Sequence, residues 1–246
     1  MIGAERRRRS LAYDLKTRVA SKPTLALPLA RFRHHGVVLS DATEVVIEGY
    51  PRSANSFSVV AFEVAQGRRT GIAHHTHAPA HVLEAVKRRV PTIVLARDPA
   101  EAAVEFLLVR RELTAPQALL GYVRFYEPLL SATSGFVVGL FPQVTSDFGV
   151  VMSALNRRSG STFTPFEHTE ANVRRCFDAM QDYWEGRVGG GDELERRVGR
   201  PSEQREAMKR ELRPLLDGPE TAELLGRARH LYEAFGTLAR EAEATS

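Results

Sequence analysis

Short apolar runs alternate with segments of helical periodicity through the first part of the chain. The runs at 43–48, 92–96 and 135–141 lack the alternation of a half-exposed strand, and a shorter strand candidate lies within 69–77. Continuous apolar runs of this length are typical of parallel strands covered on both faces. The pattern therefore predicts an α/β fold with a central parallel sheet, right-handed crossovers and helices on both faces.

Apolar residues at helical spacing fill most of the remaining chain. The predicted helices lie at 10–19, 57–67, 79–89, 99–111, 116–130, 146–156, 169–184, 202–216 and 219–240. A length of 246 residues suits one domain with additions better than two independent domains. We therefore predict an N-terminal basic arm at 1–40 and a single α/β domain at 41–246, with a helical C-terminal extension from about residue 145.

Composition narrows the function classes without choosing one. The net charge is +4, but acidic and basic residues are interspersed, and the run Arg6 to Arg9 lacks the interleaved aromatics of a specific nucleic-acid interface. The single cysteine, Cys176, excludes an internal disulfide and a cysteine-based zinc site. No apolar stretch approaches the roughly 20 residues of a membrane span. We expect a cytoplasmic protein with no transmembrane segment and no specific nucleic-acid partner.

The stretch at 44–60 is the strongest candidate for chemistry. An apolar strand leads into the turn Gly49-Tyr50-Pro51-Arg52-Ser53-Ala54-Asn55-Ser56, after which a helix begins. Backbone N–H groups at such a helix N-terminus, with a cation and side-chain donors beside them, form a cradle for an anionic group. The turn lacks the Gly-Lys pair of a nucleoside-triphosphate P-loop, which disfavours an ATPase or a kinase.

This turn resembles the 5′-phosphosulfate loop of the sulfotransferase family, and two further segments extend the resemblance. Tyr50, Pro51, Arg52, Ser53, Asn55, Ser56 and the aromatic Phe57 match the family pattern, while Ala54 replaces its usual glycine. The segment Arg97-Asp98-Pro99 after the strand at 92–96 is similar to the second family signature. The segment His74-His75-Thr76-His77-Ala78-Pro79 is similar to the segment that carries the family's catalytic histidine.

The resemblance implies a P-loop-type fold and a sulfuryl transfer. The donor would be 3′-phosphoadenosine-5′-phosphosulfate, with no metal, and the acceptor a hydroxyl or amine of a small molecule or carbohydrate. The implied donor-binding residues are Pro51, Arg52, Ser53, Ala54, Asn55, Ser56, Phe57, Arg97 and Glu105. Arg97 would hold the 3′-phosphate, Arg52 would be the working cation, and His77 would be the general base.

Two departures from the family pattern keep other functions open. Ala54 replaces a glycine, and Glu105 stands where the family has a serine that donates to the 3′-phosphate. Glu105 then pairs with Arg97 or another arginine, or is turned away by its helix, or the donor differs. One alternative is therefore a nucleotide-binding or regulatory protein without catalysis. Another is a metal-dependent hydrolase that uses the histidines between His74 and His81.

Overall fold

The computed structural model describes residues 2–32 and 37–244, with helices between successive strands. The strands are β1 (Val45–Gly49), β2 (Ile72–His74), β3 (Thr92–Ala96) and β4 (Val137–Leu140). The helices are α1 (Ile2–Val19), α2 (Pro23–Phe32), α3 (Asn55–Gln66), α4 (Pro79–Lys87), α5 (Pro99–Val109), α6 (Ala115–Tyr126), α7 (Phe141–Ser159), α8 (Glu170–Val188), α9 (Asp192–Arg197), α10 (Glu203–Leu212) and α11 (Pro219–Ala244). Short 3-10 segments follow α6 (Glu127–Gly135) and α10 (Arg213–Leu216).

The four strands form one parallel sheet in the order β2-β1-β3-β4. From β1 the chain continues to β2 on one side, whereas from β3 it continues to β4 on the other. The direction of the connections therefore reverses between β1 and β3. In open α/β sheets, ligands bind in the crevice at the carboxyl ends of the strands at such a switch point.

Each face of the sheet is covered by its own hydrophobic core. One core joins Val94, Ala96 and Val138 to apolar residues of α1, α5, α6 and α11. The other joins the strand residues Val45, Ile47, Ile93, Leu95 and Val137 to α3, α7 and α8. The α/β class, the parallel sheet and the helices on both faces are thus confirmed.

Helix boundaries differ from the predicted ones where local chemistry overrides apolar spacing. Helix α7 begins at Phe141, five residues before its predicted start, and Pro142 lies in its first turn, where a missing N–H costs nothing. Asp147 then departs from helical geometry, with φ −157° and ψ 85°, and its carboxylate accepts a hydrogen bond from Gly149 N–H at 3.0 Å. The apolar periodicity restarts after this kink, which explains the late prediction.

The N-terminal segment is more helical than its composition suggested. Helix α1 starts at Ile2 rather than at Ser10, and its Tyr13 is buried in the core beside Phe106. Gly121 on α6 allows this approach, because a Cβ there would collide with the Tyr13 hydroxyl. Helix α2 was not predicted, since Pro28 lies inside it. Residues 1, 33–36 and 245–246 of the predicted segments lie outside the described residues.

The helices within residues 2–32 and 37–244 were compared with the length and apolar content of a membrane span. None of them combines sufficient length with sufficient apolar content to cross a bilayer.

Gly49 is the position where the end of β1 depends most directly on a missing side chain. A Cβ there would lie 2.6 Å from the Leu95 carbonyl oxygen and 2.9 Å from Leu95 Cβ on the neighbouring strand. We expect Gly49→Ala to lower the free energy of unfolding by about 1–3 kcal/mol, measured by urea denaturation. The matched control is Gly186→Ala on α8, where nothing lies within 4 Å of the added Cβ. That change should stabilise by about 0.5–1 kcal/mol, and equal effects of the two changes would contradict the analysis.

Candidate active site

Three loops meet at the carboxyl edge of the sheet. They follow β1, β2 and β3, and because these strands are parallel they lie at one edge. Arg97, directly after β3, donates from Nη1 to the Arg52 carbonyl oxygen at 3.1 Å. Ser56 Oγ in the first turn of α3 lies 3.1 Å from His75 Nε2 in the loop after β2. The turns after β1 and β3 therefore share one edge, as the sequence predicted, and the histidine segment joins them.

Backbone strain is concentrated at this edge. Among the described residues, five non-glycine residues have a positive φ, and four of them lie here: Arg52 (72°), Ala54 (69°), His75 (60°) and His77 (50°). Each left-handed residue with a Cβ costs free energy, so the surrounding contacts must hold it in place. Strain of this kind clusters at functional sites, which supports this edge as the site.

The loop after β1 is held from inside by a tyrosine. Tyr50 donates from its hydroxyl to the Ala118 carbonyl oxygen at 2.8 Å, and its N–H donates to the Tyr126 hydroxyl at 3.3 Å. The Asn55 side-chain amide closes the loop by donating to the Tyr50 carbonyl oxygen at 2.9 Å. Ser53 and Asn55 are buried, so they shape the loop, whereas Ser56 and Arg52 remain partly exposed.

The N-terminus of α3 has no side-chain cap. Ala54 occupies the capping position in a left-handed conformation and has no oxygen to offer the first N–H groups of the helix. The helix dipole places partial positive charge at this end, where an anion is favoured. The loop thus has the electrostatic character of an anion cradle.

Phe57 is the predicted site residue that lies farthest from this role. It is 5% exposed and packs in the core against Phe166 and Phe177, at ring-centroid distances of 6.1 and 5.8 Å. Arg97, by contrast, stacks at 3.9 Å over the ring of Phe141, at the start of α7. Phe141 was not among the predicted site residues.

Glu105 lies at the centre of a network of cations. It accepts hydrogen bonds from Arg205 at both carboxylate oxygens, and Arg52 Nη2 lies 3.4 Å from Oε2. Arg97 Nη2 and Lys209 Nζ each lie 3.6 Å from Oε1. Glu105 therefore points towards the arginines, and of the arrangements considered from the sequence, pairing with Arg97 and other arginines is the one observed.

Cations outnumber carboxylates in this network. Its cations are Arg52, Arg97, Arg205, Lys209 and Arg213, and its carboxylates are Glu101, Glu105 and Glu206. Burial raises the pKa of Glu105, but Arg52 and Arg205 overcome this and lower it to about 2. Burial lowers the pKa of Arg52 to about 10, so it remains cationic near neutral pH. The network is a positively charged region organised around one buried carboxylate.

Helix α10 and the residues before it cover this region. Arg205 and Lys209 on α10 are 2% and 4% exposed, and Arg52 Nη1 donates to the Arg197 carbonyl oxygen at 3.1 Å. Sequence reasoning assigned no site role to Arg205 or Lys209. The spacing of four residues between Arg205 and Lys209 could have indicated such a role, because it places both cations on one face of a helix.

A second buried carboxylate, Glu48, organises the histidine loop. It accepts hydrogen bonds from Thr76 N–H and Thr76 Oγ1, each at 2.7 Å, from His77 N–H at 3.2 Å and from His81 Nδ1 at 3.0 Å. Burial raises its pKa, but the hydrogen bond from His81 and the other donors lower it to about 2. No role for Glu48 was predicted from the sequence. A carboxylate at the end of an apolar strand could have indicated one, because a buried charge needs hydrogen-bond donors around it.

His77 has the geometry of a neutral base. Its Nδ1 donates to the Gly49 carbonyl oxygen at 2.8 Å, because a carbonyl can only accept, and this leaves Nε2 as the basic nitrogen. Burial lowers the pKa of His77 to about 4, in spite of nearby Glu48. The imidazole is therefore neutral near pH 7.

The rings of His74, His75 and His77 are neighbours, with His75 at centroid distances of 4.8 and 5.6 Å from the other two, whereas His81 is engaged elsewhere. Both ring nitrogens of His81 are engaged, since Leu39 N–H donates to Nε2 at 2.9 Å and Nδ1 donates to Glu48. Among the residues that the structure describes, no three His, Cys, Asp or Glu side chains are grouped as metal ligands. The arrangement gives no support to a metal-dependent hydrolase.

Comparisons with known proteins do not add to this geometry. No family model, no curated protein and no solved structure matches the chain.

The Glu105 network predicts a large asymmetry between two glutamates. Glu105→Gln leaves Arg52 and Arg205 without a contacting carboxylate among the described residues, so we expect the free energy of unfolding to fall by about 3–5 kcal/mol. Urea denaturation measures this change. Sulfate or phosphate should restore more stability to Glu105→Gln than to the wild type, because Arg52 and Arg205, which have lost their carboxylate, then bind an anion.

Glu206→Gln is the matched control for this experiment. Glu206 also pairs with a cation of the network, Lys209, but its side chain is 48% exposed. Its loss should cost no more than about 1 kcal/mol. Equal destabilisation by the two changes, or no differential response to anions, would contradict a central role for Glu105.

Two partly buried histidines, His75 and His77, predict a loss of stability in acid at pH values above those at which the carboxylates titrate. Burial lowers the pKa values of His75 and His77 from 6.5 to about 4, so between these values the unfolded chain binds protons that the folded chain does not. Stability must therefore fall as the pH drops from about 6.5 towards 4, by at most about 2 kcal/mol per histidine by about pH 5. Glu48, with its pKa lowered from 4.5 to about 2, adds a further loss below about pH 4.5.

Urea denaturation at a series of pH values tests this prediction. His77→Asn should flatten the loss between about pH 7 and 5, whereas His230→Asn, at an exposed position of α11, should leave it unchanged. A stability that is constant over this range in the wild type would show that the two imidazoles titrate normally.

Proposed function

We propose that the chain is a P-loop-type sulfotransferase that moves a sulfuryl group from 3′-phosphoadenosine-5′-phosphosulfate to a hydroxyl or amine of a small molecule or carbohydrate. The observation that carries the proposal is the joint placement of an uncapped helix N-terminus, Arg52 and a neutral His77 at the switch point of the sheet. Anion binding, charge neutralisation and proton removal are the functions that sulfuryl transfer requires.

The proposed roles follow from accessibility and charge. Arg52, Ser56 and the first N–H groups of α3 hold the transferred end of the donor, while Ser53 and Asn55 keep the loop in shape. The acceptor oxygen or nitrogen attacks the sulfur, and the bond from sulfur to the bridging phosphate oxygen breaks. His77 Nε2 takes the proton of the acceptor, and adenosine 3′,5′-bisphosphate leaves.

Arg97 is proposed to hold the 3′-phosphate. Its guanidinium is fixed by the Arg52 carbonyl oxygen and by Phe141, and it already contacts a carboxylate, Glu105, at 3.6 Å. A bound phosphate has to share the cations with Glu105 or displace it, which loosens the contacts of α10. The excess of cations in the network makes such sharing electrostatically reasonable.

A second candidate function is nucleotide binding without catalysis, as in a regulatory protein. The observation that favours it is that Glu105 already neutralises part of the cation network. The two functions differ in their need for His77, because only the enzyme requires a base. A cytoplasmic location is our expectation for either function.

The donor assignment is tested by thermal-shift titration. Adenosine 3′,5′-bisphosphate should stabilise the protein, by about 2.7 kcal/mol at 100 times Kd, whereas adenosine 5′-monophosphate, which lacks the 3′-phosphate, should stabilise it less. Arg97→Ala should remove this preference. Arg88→Ala is the matched control, because Arg88 pairs only with Glu84 in the described residues, on an exposed surface.

Two results would count against the proposal in different ways. A folded protein whose Tm does not respond to the bisphosphate has a different ligand. A protein that binds the bisphosphate but releases none of it from the donor, with a panel of phenols, alcohols and amino sugars, supports the regulatory function. If the protein is an enzyme, His77→Asn should lower the turnover rate about 100-fold or more, while the bisphosphate still binds.

A further inference from the structure

A serine and two histidines form a continuous hydrogen-bonded chain, of which the proposed transfer uses only Ser56, as a donor to the bound anion. Ser56 Oγ lies 3.1 Å from His75 Nε2, and His75 Nδ1 lies 2.5 Å from His74 Nδ1. The two imidazole rings are nearly perpendicular, at 82°. A hydroxyl, a base and a group that orients the base are the parts of an activated serine nucleophile.

The proton positions in this chain are linked. When His75 Nδ1 carries the proton, it donates to His74, and His75 Nε2 then accepts from the Ser56 hydroxyl. When His74 Nδ1 carries the proton instead, His75 Nε2–H donates to Ser56 Oγ. The first arrangement places a base against the serine proton, whereas the second makes Ser56 a hydrogen-bond donor to a bound anion.

The surroundings favour a usable base. Burial, and then the neighbouring His74, lower the pKa of His75 to about 4, so the ring is neutral near pH 7. The positive φ of His75 fixes the ring towards α3 at a conformational cost. Ser56 lies in the first turn of α3, where uncapped N–H groups favour negative charge that develops on a reacting group.

The geometry points to Ser56 as a nucleophile that reacts with esters or anhydrides of sulfuric or phosphoric acid. His75 activates the serine, and His74 orients His75. In the reaction Ser56 Oγ forms a bond to the tetrahedral sulfur or phosphorus, and the bond to the leaving oxygen breaks. The serine proton moves to His75 Nε2, and the leaving group departs with its electron pair. Water or another hydroxyl then attacks the adduct and gives its proton to His77 Nε2, the bond from Ser56 Oγ to the sulfur or phosphorus breaks, and Ser56 Oγ takes its proton back from His75.

This inference gives the two histidines separate tasks. Joined to the proposed sulfuryl transfer, on which this step rests, the inference replaces direct attack of the acceptor on the donor by two stages. Ser56 first takes the sulfuryl group with His75 as its base, and the acceptor then attacks the Ser56 adduct and gives its proton to His77. Reactivity of Ser56 itself does not depend on the identity of the donor. Its test is therefore independent of nucleotide binding.

The experiment uses phenylmethylsulfonyl fluoride with the full chain and without nucleotide. Ser56 Oγ should displace fluoride from the sulfonyl sulfur, while His75 takes the serine proton. We expect one adduct by intact mass, located on Ser56 by peptide mapping. His75→Asn should slow its formation about 100-fold or more, and His74→Asn about 10-fold, because His74 only positions the base.

Matched variants and a pH profile separate this chemistry from simple exposure. Ser131→Ala, which removes an exposed serine with no histidine contact among the described residues, should leave the labelling unchanged. The labelling rate should be level from about pH 8 to 5 and fall as His75 is protonated near pH 4, with His74, His77 and Glu48 as the titratable groups that face it. Labelling with hydroxide catalysis alone would instead rise about tenfold per pH unit.

The outcomes decide the inference whether or not each variant folds. No adduct on Ser56 in the wild type overturns it, as does an adduct that forms at the same rate in folded His75→Asn. If His75→Asn does not fold, the pH profile of the wild type decides, and a tenfold rise per pH unit overturns it. Bisphosphate binding without Ser56 labelling leaves the proposed function standing, while labelling without such binding leaves only the nucleophile.

Discussion

The carboxylate of Glu105 is the group on which the arrangement of the site depends. It lies on α5, contacts the loop after β1 through Arg52 and the loop after β3 through Arg97, and holds α10 through Arg205 and Lys209. A buried carboxylate is costly unless several donors compensate its desolvation. Here the four donors come from three separate segments, so the cost of burying one charge is offset only when all three are assembled. The same interaction therefore holds α10 over the carboxyl edge of the sheet.

Glu48 performs the corresponding task on the other side of the loop after β1. It accepts three hydrogen bonds from Thr76 and His77 in the loop after β2 and one from His81 on α4. These bonds hold His77 beside the Gly49 carbonyl oxygen. The two carboxylates differ in what they leave for a ligand. Glu48 is fully enclosed and its hydrogen-bond donors lie in the loop after β2 and on α4, whereas Glu105 is surrounded by more positive charge than it neutralises. An incoming anion can therefore join the Glu105 network but has no comparable place beside Glu48.

The pattern of apolar residues along the chain was sufficient to predict the sheet, but it did not predict the contacts within the site. The bounds of β3 agree with the predicted run at 92–96, and the turns at Arg52 and Arg97 were placed correctly at one edge, because strand direction alone determines that edge. The pairing of Glu105 with Arg205 joins residues 100 positions apart, so no periodicity within α5 could identify it. Likewise, the contact of Ser56 with His75 depends on how the loop after β2 folds back towards α3. Two histidines of this loop adopt left-handed backbone conformations, which residues other than glycine rarely do.

The order of proton positions between Ser56, His75 and His74 links the two kinds of chemistry considered for this edge. A bound anion favours the arrangement in which Ser56 donates, because the hydroxyl hydrogen then points towards negative charge. A reacting electrophile favours the opposite arrangement, because its attack requires a lone pair on Ser56 Oγ and a vacant His75 Nε2. Both arrangements use the same heavy-atom positions, so the transition between them needs only a shift of protons along a chain of 3.1 and 2.5 Å contacts. Both arrangements are thus compatible with one conformation of the loops after β1 and β2, and the strain stored at Arg52, Ala54, His75 and His77 is the cost of keeping these two loops in place.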